Sequence, residues 1–126
     1  MPWRSRLACL ALALLCCGLP APGIGAPARH GTKQDTAILE LRHYALSSCL
    51  RQAFPSIADE AAAAMDTFLQ NGSHTAEAYQ AIQPMAAEWL RRSYPSFRDV
   101  NLTIVKCIDF AESTEIGRLA RRTLPR

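Results

Sequence analysis

Five cysteines and three histidines are the side chains of this 126-residue sequence best suited to nucleophilic attack, metal ligation or cross-linking. Three of the cysteines, Cys9, Cys16 and Cys17, lie in the apolar run LACLALALLCCGL at residues 7–19. Arg4 and Arg6 precede that run, and Pro20, Pro22 and the triplet Ala26-Pro27-Ala28 follow it. This is the layout of a cleavable export signal. The run is shorter than the about 20 residues that span a bilayer. Cleavage is expected after Ala28, with Ala26 as the alternative site, so that residues 1–28 are the signal and residues 29–126 the mature chain. Lipid attachment at Cys16 is disfavoured because Leu15 is not the small residue that reaction needs. Only Cys49 and Cys107 then remain. Two cysteines in an exported protein most economically form one disulfide; the alternative is a pair of buried free thiols.

The other chemistry-bearing residues do not assemble into a reactive set. His30 lies in a polar arm, His43 falls on the polar side of a helical pattern, and His74 sits in a turn. No two of them have metal-ligand spacing. A Cys-His nucleophile is excluded if the two cysteines are bonded to each other. Neither G-x-S-x-G nor S-x-x-K occurs, and there is no glycine-rich phosphate loop. The acids at 59, 60, 109, 112 and 115 read as helix-start charges and solvated faces. Two Asn-x-Ser/Thr triplets, at Asn71 and Asn101, carry meaning only in a eukaryotic secretory route. The whole chain has 14 basic and 11 acidic side chains. Removal of Arg4 and Arg6 leaves 12 against 11, a net charge of +1, which gives no electrostatic case for nucleic acid or an anionic membrane. These absences point to a protein that binds rather than reacts, with no catalytic residue, no metal and no cofactor.

The elements that must position the cysteines are helical. Asp35 can cap a helix starting at Thr36, with Ile38, Leu39, Leu46, Cys49, Leu50 and Ala53 on one side and Glu40, His43, Ser47 and Arg51 on the other. Arg42 interrupts the apolar side and is expected to snorkel. Phe54-Pro55 ends this helix. Ser56 to Asp59 resembles a capping box, and Ile57, Ala61, Ala64, Met65 and Phe68 continue with helical spacing until Asn71-Gly72. A third helical region covers about residues 75–92, where Ile82, Met85, Ala86, Trp89 and Leu90 form a stripe. Pro84 inside it predicts either a kink or two helices. In residues 102–112, Ile104, Cys107, Ile108 and Ala111 sit at offsets 0, 3, 4 and 7, with Lys106 and Asp109 opposite, a helical rather than an alternating period. Ser113 can cap a last helix carrying Ile116, Leu119, Ala120 and Thr123 inward. The expected fold is all-α, a compact bundle of about five helices in one domain, tied by one disulfide. A cross-link closing a loop of 58 residues stabilises by roughly 4 kcal/mol on the chain-entropy model.

The segments YALSSCLRQAF around Cys49 and VKCIDFAES around Cys107, with the helical patterns between and after them, resemble the periplasmic immunity proteins that neutralise type VI secretion amidase effectors. The resemblance covers about residues 41–123. It implies packed helices tied by one disulfide, usually as a homodimer in the periplasm. It implies a cognate partner, a papain-like Cys-His amidase that cuts peptidoglycan peptide stems, and a mechanism in which a protruding loop blocks the enzyme's cleft. The competing reading is another small secreted helical binder, a ligand carrier or a cytokine-like factor. The shared motif is the cysteine pair, so the contact loop must be argued from this sequence. Residues 93–101, SYPSFRDVN, lie between two well-patterned helices and carry two aromatics, an arginine and a stiffening proline. Tyr94, Pro95, Ser96, Phe97 and Arg98 are the expected partner contacts. The alternative is that Tyr94 and Phe97 fold back and cap the core. The next candidate surface is the turn at residues 71–75 with His74.

Overall fold

A computed structural model describes residues 31–96 and 98–124, so residues 1–30 (the expected signal and His30 among them), Phe97 and the last two residues lie outside it. Five α-helices and one 3-10 turn account for the architecture: α1 (Lys33–Ala53), the turn Pro55–Ile57, α2 (Ala58–Asn71), α3 (Ala76–Leu90), α4 (Thr103–Glu112) and α5 (Thr114–Thr123). Among the described residues there is no strand. Helix α1 is the hub. Helix α2 packs on it, and α3, α4 and α5 each touch it as well as each other.

Helix α1 begins earlier than its apolar pattern. Thr32, not Asp35, is the cap. Its Oγ1 accepts from the Asp35 backbone N–H (3.1 Å), while the Asp35 carboxylate accepts from the Thr32 N–H (2.9 Å). This reciprocal box satisfies two of the N–H groups that a helix start leaves without partners. Phe54 is extended before Pro55, as the residue preceding a proline prefers, and α1 stops there. The box expected at Ser56 does not form; the chain makes the 3-10 turn instead, and α2 starts at Ala58 without a side-chain cap. Pro84 neither breaks nor divides α3, which runs on from Ala76 to Leu90. Pro84 and Gln80, whose carbonyl loses its usual donor, are both exposed, so water can satisfy that carbonyl. Ile82 and Ala86, fully buried on either side, hold the helix against the core.

The core is built from Leu41, Tyr44, Ile82, Phe110 and Ile116 around the Cys49–Cys107 disulfide, whose two residues are completely buried with Cα atoms 5.4 Å apart. The bond joins α1 to α4. Ser113 caps α5 by accepting from the Ile116 N–H at 3.2 Å, and Ile116, Leu119 and Ala120 point inward as the spacing requires.

Two helical faces differ from expectation. On α1 the buried set is Ala37, Leu41, Tyr44, Ala45, Ser47, Ser48 and Cys49, and Leu39 is 49 % exposed. On α4 the buried set is Cys107, Phe110 and Ala111, while Ile104 and Ile108 are 57 % and 48 % exposed. Phe110 is the larger anchor, and turning α4 to bury it carries the two isoleucines outward. The Arg42 side chain remains 28 % exposed. It pairs with Glu112 on α4, 70 residues away in sequence, as Glu112 Oε2 accepts from Nη1.

Candidate functional site

The chain between α3 and α4 leaves the body of the protein and returns to it. Pro95, Ser96 and Arg98 are exposed, as are Asp99 and Val100. Pro95, Ser96, Arg98, Val100 and Leu102 line a shallow depression of about 300 Å³. Ser96 braces the loop from within, its Oγ facing the backbone N–H groups of Arg98 and Val100 at 3.4 Å each. At the far end Asn101 Oδ1 accepts from the Thr103 N–H (2.9 Å) and from its hydroxyl, so the loop closes on the first turn of α4.

Tyr94 behaves differently from its neighbours. It is half-buried at the base of the loop, where its hydroxyl accepts from Trp89 Nε1–H at 3.1 Å. Burial raises its phenol above the ordinary value of 10.0. The Trp89 N–H opposes that shift, and the nearby Asp109 carboxylate adds to it. Of the five residues expected to touch a partner, Pro95, Ser96 and Arg98 are therefore presented to solvent, Tyr94 is folded onto the domain, and Phe97 lies outside the described residues.

The second candidate, the turn at residues 71–75, is committed to structure. His74 Nε2–H donates to the Ala37 carbonyl at 2.7 Å, and Nδ1 meets Thr123 Oγ1 at 2.9 Å. One side chain thus ties the turn to α1 and to the end of α5. His43 is exposed and lies 5.4 Å from the Phe68 ring. Among the described residues no group of three or more His, Cys, Asp or Glu side chains is placed to hold a metal ion.

An exposed apolar strip escaped the sequence reading. Ile104 and Ile108 are one turn apart on α4, with Val105 beside them and Val100 just before the helix, all more than two-fifths exposed. The disulfide and the Arg42–Glu112 pair hold α4 antiparallel to α1. The signal was present in residues 102–112, where apolar residues occupy more of the helix circumference than one core face needs.

Residues 40–120 match the family model described as type VI secretion system (T6SS), amidase immunity protein. The chain belongs to this family. The match takes in both disulfide cysteines, all of α2, α3 and α4, about two-thirds of α1 and of α5, and the whole loop between α3 and α4. No curated protein matches the immunity protein's sequence. Among the immunity protein's described residues, no helix is long and apolar enough to cross a membrane.

Proposed function

We propose that this immunity protein is a non-enzymatic inhibitor exported to the periplasm. Residues 1–28 are removed, and residues 29–126 form one domain. That domain binds a papain-like peptidoglycan amidase delivered by type VI secretion and fills its cleft with residues 93–101. The observation that carries this reading is the α3–α4 loop, solvent-exposed at Pro95, Ser96 and Arg98 and anchored at both ends on a disulfide-tied frame. Arg98 is free to meet a carboxylate or carbonyl in a cleft, and Pro95 reduces the entropy lost when the loop is ordered there. No cofactor is needed, since steric exclusion and complementarity suffice.

The domain works as a homodimer through the exposed strip on α4. Four large apolar side chains exposed together form the kind of patch that marks an interaction surface. The test of the function is protection. A type VI secretion amidase, directed to the periplasm, should lyse cells that lack the immunity protein, and the cognate one should spare cells that co-express the full chain. A version without residues 1–28 should fail to protect. Equal lysis with and without the full chain would reject the reading.

A further inference from the structure

The loop's base is built like a clamp. Trp89, in the last turn of α3, is covered on one ring face by Arg92, whose guanidinium carbon lies 3.5 Å from the ring centroid. Its ring also meets the fully buried Phe110 of α4 at a centroid distance of 5.6 Å. Arg92 in turn reaches Glu115 of α5 at 3.6 Å. An indole N–H enclosed in this way needs an acceptor, and it has one in the Tyr94 hydroxyl. From the other side Lys106, one turn into α4, donates from Nζ to the carbonyl of Leu90 at 3.1 Å. That carbonyl is one of those that the end of α3 leaves without an intrahelical donor. The same ammonium stands 5.5 Å from the centroid of the Tyr94 ring. The residue that opens the loop is therefore gripped by the helix before the loop and by the helix after it.

We propose that Trp89, Tyr94 and Lys106 are positioning residues that hold the described loop residues, 93–96 and 98–101, in one shape before any partner arrives, and that this preorganisation sets how tightly the loop binds. The affinity part rests on the reading of that loop as the inhibitory element. Tyr94 then contributes through the loop's shape and not as a contact. Binding a loop already in its bound shape avoids the ordering cost that a slack loop meets on association.

Two mild substitutions test it. Tyr94→Phe keeps the ring and removes the acceptor of the Trp89 N–H. Lys106→Met keeps the stem and removes the ammonium. The first readout needs no partner: hydrogen exchange at the Arg98 and Val100 amides of the free protein. Both variants should exchange about tenfold faster there than the wild type while amides at the centre of α1 stay unchanged. The second readout is affinity for the cognate amidase, which should fall by about tenfold in each variant at an unaltered melting temperature. Unchanged loop exchange in both variants would overturn the clamp. Faster exchange with undiminished affinity would overturn its role in binding. A wild-type protein that does not bind the amidase would instead reject the inhibitory reading, and the exchange result would still decide the clamp.

Discussion

Cys49 and Cys107 carry the largest single stabilising constraint in the molecule. Their bond closes a loop of 58 residues between the central helix and α4, so its contribution is roughly 4 kcal/mol. Replacing Cys107 by Ser should lower the melting temperature by about 15 °C or more in a domain of this size, read by circular dichroism under non-reducing conditions. A shift of only a degree or two would show that the bond constrains little. Gly72 tests packing at a second point. A methyl group there would overlap the Tyr79 hydroxyl and crowd the Phe68 carbonyl to which that hydroxyl donates. Gly72→Ala should cost about 1–3 kcal/mol, although glycine confers no special backbone angle at this position, and chemical denaturation will show it. The disulfide was legible in the sequence because the expected removal of residues 1–28 leaves only two cysteines. The partnership of Arg42 with Glu112 was not, because a pair 70 residues apart leaves no local pattern.

Among the elements, α5 could be read almost residue by residue, since a capping serine and a single narrow apolar stripe point the same way. Helix α4 could not. It is apolar on two faces, so hydrophobicity alone cannot say which one is core, and the bulk of Phe110 decides it. The start of α1 was missed because Thr32 stands before any apolar residue of the helix, and the cap is a hydrogen-bond device with no hydrophobic trace. That cap makes a pH prediction. The Thr32 hydroxyl and N–H hold the Asp35 carboxyl below its ordinary value of 3.8. A depressed carboxyl contributes stability above the unfolded value and loses it as pH falls through the folded one. Protection of the amides in the first turn of α1, measured against their intrinsic exchange rate at each pH, should therefore fall below about pH 4, and Asp35→Asn should remove that dependence. A wild-type profile flat from pH 6 to pH 2 would contradict the cap's role.

Among the described residues two exposed surfaces differ in chemistry, a braced loop and an apolar helical strip, and each suits a different occupant. The strip predicts an assembly of two. Light scattering should report a dimer for the mature chain and a monomer for the double variant Ile104→Asp, Ile108→Asp, with little change in melting temperature, since both side chains are already about half exposed. A wild-type monomer at micromolar concentration would remove the dimer from the account. The fold as a whole was legible from period and caps. Which surface binds was not, because exposure appears only once the helices are turned against one another. Calorimetric titration of the cognate amidase with the wild-type protein and with a Phe97→Ala, Arg98→Ala double variant decides whether this loop is the inhibitory element. Blocking by residues 93–101 predicts that the double variant melts like the wild type and binds at least about 2 kcal/mol, or roughly 30-fold, more weakly. Equal affinity of the two proteins would contradict it.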